Sequence, residues 1–286
     1  LRPRSAGTPP PAGAGRAWSM IRRIPSIARA SARPCQSHLA GEHVVERDGA
    51  SHLVGAAGGA GVHDQAEGDG EIPAGEGIAR DEVFVTTKVW NSDQGHDPTL
   101  RAVEASLQRL RLDRVDLCLI HWPAPAQDRY IDTWRALIRL RDEGRVRSIG
   151  VSNFMGAHLE RLVGDTGVIP VLNQIELHPR LQQGKLRALH DRMGIVTQSW
   201  TPLGQGRSFG APPVQAAARR TGKTPAQVIL RWHLQLGLSV IPRSTRAAGL
   251  AENRDIFDFA LLPEEMAALA ELDEGVRCGP DPMSFA

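Results

Sequence analysis

Several features that would mark a particular class of protein are scarce or absent in this chain. Its three cysteines, Cys35, Cys118 and Cys278, are too few and too widely spaced for a disulfide framework or a metal-ligand set, which favours a reducing compartment and no metal. A run of ~18 apolar residues is missing, so we expect no membrane span. The 34 basic and 32 acidic residues nearly balance, which gives no electrostatic reason to expect nucleic acid or a membrane surface as a partner.

The first 80 residues also lack the features of a folded domain. Residues 1–41 contain no Asp, Glu or Lys but seven Arg, and residues 1–80 hold one aromatic residue, Trp18, with 13 of the 29 glycines. Residues 42–75 show neither strand nor helix periodicity. A transit peptide, a disordered tail, a mis-set start codon and a frame-shifted stretch all fit, and we favour a reading-frame or start problem. We therefore divide the chain into an anomalous segment, poorly ordered or frame-shifted, at 1–76 and a folded domain at 77–286.

From residue 77 onward, apolar strand-like runs alternate with amphipathic helical stretches. The pattern predicts strands at 83–88, 115–122, 146–153, 171–178, 195–203 and 238–244. It predicts helices at 98–110, 131–140, 158–163, 186–193, 214–220 and 225–236, one starting at 250–253, and one at 263–272.

This alternation predicts a parallel sheet with helices outside it. The strands are almost continuously apolar, which indicates that both faces of the sheet are covered. Six βα units fit a doubly wound open sheet, whereas an eight-unit barrel needs two more units from residues 1–80. No G-x-G-x-x-G motif follows any strand, which weakens a Rossmann interpretation, but periodicity alone leaves both architectures open.

Two side chains that can take part in catalysis stand at the C-terminal ends of strands in this repeat. Lys88 ends VFVTTK and His121 follows VDLCLI; in a βα barrel the strand C-termini share one mouth, where the chemistry takes place. A lysine there can form a Schiff base, relay a proton or tune a neighbouring acid, and a histidine can exchange a proton with a substrate oxygen. Taken singly, each is as easily a surface lysine or a structural histidine.

Later strand ends carry polar groups suited to a nucleotide. Ser152 and Asn153 in GVSNF, and Gln174 in NQIELHP, suit an amide-bearing ligand. SWTPLGQG supplies an aromatic face and a glycine-bearing loop. The turn after the last strand places two guanidiniums and two hydroxyls before a helix, which is a strong phosphate trap.

The order of these motifs resembles the aldo-keto reductase family, and within it small bacterial members similar to 2,5-diketo-D-gluconate reductases. The resemblance spans residues 77–259 through GIARDEVFVTTKVWN, LCLIHWP, SIGVSNF, NQIELHP, SWTPLGQG, TPAQVILRWHLQ and VIPRSTRAAGLAENRDIFDF. It implies an α/β fold, the (β/α)8 TIM barrel, with the first two βα units irregular or missing here. It also implies a monomeric cytoplasmic enzyme that uses NADPH, rather than NADH, to reduce aldehydes or ketones, diketo-sugar acids among them.

The resemblance also implies residue roles. Lys88 would polarise a catalytic tyrosine, and His121 would orient the substrate carbonyl between Trp90 and Trp122, which would wall the pocket. The cofactor would be held at several strand ends: its carboxamide by Ser152, Asn153 and Gln174, its nicotinamide ring by Trp200, its pyrophosphate by Leu203 and Gln205, its adenosine phosphate by Arg243, Ser244, Thr245 and Arg246, and its adenine by Glu252 and Asn253. One basic position expected in the final helix is Gly249 here, which would weaken the preference for NADPH.

The match fails at the general acid, a tyrosine that the family carries in a D-x-x-x-x-Y segment. The single tyrosine of this chain, Tyr130, has no catalytic role under the resemblance. Counting back about 25 residues from the lysine gives His63 at the acid position and Gly58 at the aspartate position. A histidine can donate a proton, but Lys88 would lack its carboxylate partner. We therefore expect severely reduced activity.

Two rival functions stay open. One is a catalytically silent NADPH-binding barrel that acts as a redox-sensing partner, which the missing tyrosine favours. The other is a Schiff-base aldolase that uses Lys88, which the amide motifs and the arginine-rich turn do not suit.

Overall fold

The computed structural model describes residues 80 and 83–285, together with the backbone of residues 44–47. Its strands are β1 (Val44–Arg47), β2 (Val83–Val89), β3 (Val115–Ile120), β4 (Val146–Ser152), β5 (Leu172–Glu176), β6 (Val196–Trp200) and β7 (Ser239–Val240). Its α-helices are α1 (His96–Leu110), α2 (Tyr130–Asp142), α3 (Gly156–Thr166), α4 (Gly184–Met193), α5 (Pro212–Thr221), α6 (Pro225–Gln235), α7 (Ala247–Arg254) and α8 (Pro263–Ala270). Two 3-10 turns, at Asn91–Asp93 and Gly204–Gly206, follow β2 and β6.

The strands form one sheet whose spatial order is the order of the sequence, β1 to β7. Strands β2 to β7 are all parallel, with Lys88 opposite Leu119 and Gln174 opposite Gln198. A doubly wound sheet reverses its strand order at a switch point, whereas a barrel keeps the sequence order throughout. The described strands keep that order, so the open-sheet alternative is wrong and the barrel prediction is confirmed.

Strand β1 departs from the expectation for the N-terminal region. It pairs antiparallel with β2, Val45 lying opposite Val85, although we predicted no strand periodicity between residues 42 and 75. A four-residue strand offers only two positions per face, too few for an alternation to be visible. The rest of the prediction for residues 1–76 lies outside the described part of the chain.

The last two barrel strands are shorter than predicted. β6 ends at Trp200 because Thr201 adopts a positive φ of 50° and Pro202 follows it; proline cannot donate the next ladder hydrogen bond. β7 covers only two residues, and one further backbone bond, from Ile241 N–H to the Ser199 carbonyl, continues it up to Pro242. Both strands therefore end where a proline removes the donor that would extend the pairing.

The helices pack on the outside of the sheet through one apolar face each. In α1 the buried side chains Val103, Leu107 and Leu110 recur at helical spacing. Every side chain of β3 is buried, as expected for a strand covered on both faces. At Gly150 the strands approach so closely that a Cβ would lie 2.7 Å from the Leu172 carbonyl oxygen. None of the helices in the described ranges is long and apolar enough to cross a bilayer.

A buried histidine of helix α4 is hydrogen-bonded to the N-terminal parts of β5 and β6. His190 is fully buried, its Nδ1 lies 2.8 Å from Thr197 Oγ1, and its Nε2 lies 3.0 Å from Asn173 Nδ2. Because the amide nitrogen of Asn173 can only donate, Nε2 accepts and Nδ1 carries the proton, which makes the ring neutral. Burial lowers the pKa of His190 to about 4.

We predict that acid weakens the fold through this residue. The unfolded chain takes up the proton near pH ~6.5, whereas the folded chain resists it down to about pH 4, so stability falls across that window. Between about pH 7.5 and about pH 5 the loss from His190 is on the order of 2 kcal/mol. Urea unfolding of the parent and of His190→Gln at both pH values measures it. An equally steep pH dependence in the variant would contradict the assignment.

Candidate functional site

The C-terminal ends of β2 and β3 bring a lysine, a histidine and a tryptophan together. Lys88, half-buried, is the penultimate residue of β2. The His121 N–H donates to the Val89 carbonyl at 3.0 Å, which continues the β2–β3 ladder past the strand end. The exposed Trp90 ring meets the His121 imidazole edge-on, with the centroids 4.7 Å apart. The structure thus places Lys88, Trp90 and His121 at one rim of the barrel.

Asn153 connects that rim to the opposite strands. Its Nδ2 donates to the His121 carbonyl at 3.0 Å, its Oδ1 accepts from Trp200 Nε1 at 2.8 Å, and its N–H donates to the Gln174 carbonyl at 2.9 Å. Its backbone is left-handed, with φ of 64°, a conformation that asparagine tolerates better than most side chains. One buried residue therefore holds the ends of β3, β5 and β6 in a fixed relation.

The two other predicted amide contacts join the same network. Ser152 Oγ donates to the Gln174 carbonyl at 2.8 Å, and Gln174 Nε2 donates to Gln198 Oε1 at 2.7 Å. Gln198 Nε2 in turn donates to Ser239 Oγ at 3.2 Å. Sequence reasoning did not find Gln198, although its place two residues before Trp200 on β6 puts it on the same face of the strand.

An aromatic wall lines the mouth, and the C-terminal segment completes it. The rings of Trp122 and Trp200 stand 6.4 Å apart, centroid to centroid, and the Phe285 ring packs on Trp122 at 4.5 Å. Gly279 lies so close to Trp200 that a Cβ there would be 2.5 Å from its Cη2 atom. The tail from residue 275 onward thus covers one side of the mouth.

Glu176 anchors this tail. Its fully buried carboxylate accepts hydrogen bonds from the Cys278 N–H, from the Gly279 N–H at 3.1 Å and from His178 Nε2 at 3.0 Å. Burial alone would raise the pKa of Glu176, but these hydrogen bonds outweigh it and hold the pKa below its ordinary value. Arg277 adds a cation with Nη1 4.0 Å from Oε2. Sequence reasoning missed this contact, although the motif NQIELHP contains two of its members.

A cavity of about 370 Å³ lies between the loops that follow β6 and β7. Three of its lining residues, Leu203, Gln205 and Arg243, are among those predicted to bind the pyrophosphate and the adenosine phosphate. Gln205 and its two glycine neighbours have positive φ values, so the loop turns back on itself and forms one wall. The remaining lining residues are Thr201, Pro202, Gly206, Phe209 and Pro242.

The other predicted phosphate ligands lie at the exposed start of α7. Ser244 Oγ is bonded to the backbone of Arg246, whose side chain, like that of Thr245, is exposed. Further along α7, Glu252 accepts from Thr224 Oγ1 at 2.6 Å, so its carboxylate is engaged by the first residue of the α6 capping box. Asn253, beside it, is half-buried.

Tyr130 is not part of the mouth. It begins α2, is 3% exposed, and packs its ring against Phe154 and His158 at 5.3 and 5.9 Å. Burial raises its pKa. The only tyrosine of the chain is thus a core residue. His63 and Gly58, at the expected acid and aspartate positions, lie outside the described residues.

Comparison with known proteins gives consistent matches. The family model described as "Aldo/keto reductase family" matches residues 67–274. An aldo-keto reductase of Mycolicibacterium smegmatis is 50% identical over 216 residues, which is 76% of this chain and 78% of that one. The methylglyoxal reductase DkgA of Yersinia pestis is 50% identical over 228 residues, 79% of this chain and 82% of that one. A mutant of Gox0644, solved in complex with NADPH, superimposes with a TM-score of 0.71 at 51% identity and covers 72% and 77% of the two chains.

We predict that Glu176→Gln loosens the tail. The amide would turn an N–H group toward backbone donors, which leaves buried donors unsatisfied and lowers the free energy of unfolding of the tail by ~1–3 kcal/mol. Trypsin cleavage after Arg277, followed by mass spectrometry, should then be faster than in the parent. Glu274→Gln, which weakens only a solvent-exposed ion pair with Arg180 next to the tail, is the matched control and should change the rate little. Equal cleavage rates for the two variants would refute the anchor.

Proposed function

Because this chain belongs to the aldo/keto reductase family, we propose that it reduces aldehydes and ketones with NADPH as the hydride donor. The observation that carries the proposal is the network around Asn153, which joins the carbonyl of His121, the ring of Trp200 and the strand carrying Gln174 through hydrogen bonds of 2.8–3.0 Å. This network places an imidazole, an aromatic face and several amide groups around one mouth.

The cofactor fits the groups that surround this mouth. NADPH supplies a hydride from its nicotinamide ring. Trp200 would stack on that ring, and Ser152, Asn153 and Gln174 would hold its carboxamide. The ~370 Å³ cavity beside Leu203, Gln205 and Arg243 would take the pyrophosphate and adjoining ribose. Ser244, Thr245 and Arg246, with the nearby Glu252 and Asn253, would receive the adenosine end.

The protein's own groups would then bind and polarise the carbonyl. His121 would donate a hydrogen bond to the carbonyl oxygen, and the ammonium of Lys88 would favour negative charge developing there. The aromatic rings of Trp90, Trp122 and Phe285 would exclude water and limit substrate size. An enclosed aromatic mouth suits a small carbonyl compound such as methylglyoxal, the substrate named for the Yersinia relative. We further propose that the protein is a cytoplasmic monomer with no nucleic-acid or membrane partner.

The missing general acid limits this activity. The sole tyrosine is packed in the core, so no tyrosine hydroxyl is available to protonate the alkoxide, and His63 is the candidate replacement. This same observation favours a second function, an NADPH-binding barrel that senses redox state without turnover. The two differ in one measurable quantity, the rate of NADPH oxidation by a carbonyl substrate.

We predict that cofactor affinity depends on the start of α7. Arg246→Met removes a charged hydrogen-bond donor, worth ~1.5–3 kcal/mol, so the Kd for NADPH should rise by roughly 10- to 100-fold, while that for NADH changes little. Titration followed by nucleotide fluorescence measures both constants. Arg219→Met, at an exposed position on α5, is the control. If Arg246→Met leaves the NADPH constant unchanged, the adenosine phosphate lies elsewhere.

We predict weak but measurable reduction of methylglyoxal. Without a tyrosine acid, kcat should lie ~10²–10⁴-fold below that of the Yersinia reductase in the same assay. His63→Ala should remove most of the turnover that the parent shows. As a separate variant, His121→Asn should also lower kcat below that of the parent, without changing the Kd for NADPH. Tyr130→Phe is the control and should retain parental turnover. NADPH binding with no detectable oxidation would instead establish the silent barrel, and parental turnover in His63→Ala would exclude that residue as the acid.

A further inference from the structure

Three side chains at the rim of the barrel form a cluster that the reductase chemistry does not use. Glu176 ends β5, His178 follows it two residues later, and Cys278 comes from the C-terminal tail. One potential ligand atom from each lies within 4.8 Å of the other two. We propose that this cluster is a Zn²⁺ site that fastens the tail over the mouth.

The distances suit a tetrahedral zinc ion. His178 Nε2 lies 3.0 Å from Glu176 Oε1 and 3.5 Å from Cys278 Sγ. Around a zinc with ordinary bond lengths the corresponding edges are about 3.4 Å and about 3.6 Å. The third edge, between a Glu176 oxygen and Cys278 Sγ, is at most 4.8 Å and would be about 3.5 Å around zinc, so the tail has to close by no more than about 1.3 Å to admit the ion. A carboxylate, an imidazole and a thiolate are all ligands that zinc accepts, and a fourth position is left for water.

The second ring nitrogen of His178, Nδ1, would carry the ring proton when zinc is bound at Nε2. His178 is 1% exposed, and its Nδ1 has no hydrogen-bond partner within the described part of the chain. As long as Nε2 donates to Glu176, Nδ1 holds an unused lone pair. Zinc at Nε2 would replace the hydrogen bond to Glu176 and move the ring proton to Nδ1, so the metal bonds must outweigh the cost of a buried N–H without an acceptor among the described residues.

With zinc bound, the Glu176 carboxylate and a Cys278 thiolate would offset the charge of the ion, beside the Arg277 guanidinium whose Nη1 lies 4.0 Å from Glu176 Oε2. The carboxylate of Glu176 is held ionised by its hydrogen bonds, which keep its pKa below its ordinary value. Burial and the neighbouring Glu176 raise the pKa of the Cys278 thiol, so this thiol is not an activated nucleophile on its own. Zinc would replace its proton and yield a bound thiolate. Affinity should therefore fall as the pH is lowered.

A catalytic triad is a poorer explanation of the same residues. In a triad the nucleophile and the acid contact different nitrogens of the imidazole, so that the ring relays a proton between them. Here the thiol and the carboxylate both face Nε2, and Nδ1 contacts neither. The arrangement converges on one point, as ligands do around an ion.

The ligand positions couple zinc to the closed tail. Two ligands belong to the end of a barrel strand, and the third lies 100 residues later, next to Gly279, which packs against Trp200. The ion can have all three ligands only when the tail is seated. Bound zinc should therefore protect the tail and narrow access to Trp200.

The test uses the untagged full-length protein without nucleotide or substrate, so its outcome does not depend on turnover. Co²⁺ is the spectroscopic probe, since a thiolate ligand gives a sulfur-to-cobalt charge-transfer band, and Zn²⁺ affinity is obtained by competition. We expect one ion per chain in the parent. Cys278→Ser should abolish the band and weaken Zn²⁺ binding by at least ~100-fold, since loss of an outer-shell contact alone costs up to about 100-fold. Glu176→Gln should weaken it by at least ~10-fold.

Cys35→Ser is the matched control, because it removes a cysteine but keeps the proposed ligand Cys278. It should bind both ions as the parent does. The third cysteine, Cys118, is fully buried. Zn²⁺ should also slow trypsin cleavage after Arg277 in the parent and in Cys35→Ser, but not in Cys278→Ser. The proposal is overturned if the parent binds no Co²⁺ stoichiometrically, if Cys278→Ser keeps the band, or if Cys35→Ser loses it.

Discussion

The arrangement of the mouth depends on the left-handed backbone of Asn153. With this backbone, the two ends of the Asn153 amide bond the His121 carbonyl and the Trp200 indole N–H at the same time. The conformational cost of a positive φ is small for asparagine and larger for most other residues. Since the groups it joins come from three different strands, the local geometry of one residue sets the spacing of the whole rim.

Around this residue, polar side chains are buried at the end of an apolar sheet, and each needs a hydrogen-bond partner there. Gln174, Gln198 and Ser239 satisfy one another in a chain across neighbouring strands. Glu176 is buried as an anion because two backbone N–H groups of the tail and one imidazole solvate it in place of water. The tail is consequently a structural part of the rim, and its position is set by a carboxylate that would otherwise be costly to bury.

The sequence predicted most of the barrel and most of the rim, for reasons that lie in local patterns. Apolar runs and helical spacing identify β2 to β7, because both signals are written over several consecutive residues. Lys88, His121 and Asn153 were found since each stands at a strand end. Strand β1 escaped because four residues carry too little periodicity. The contacts of Cys278 and Gly279 with Glu176 were not predicted because they bridge about 100 residues and use backbone N–H groups, which leave no trace in composition. The ring contact of Phe285 with Trp122 was not predicted because it joins still more distant parts of the chain.

Gly249 and Ser244 compete for the same volume at the start of α7. A Cβ at Gly249 would lie 2.3 Å from Ser244 Oγ. The Ser244 hydroxyl therefore occupies the volume that any larger residue at position 249 would need. A basic residue cannot be introduced at 249 without first turning Ser244 out of its bonds to the Arg246 backbone. Under the proposed cofactor assignment, a cation at position 249 would therefore require a compensating change at Ser244.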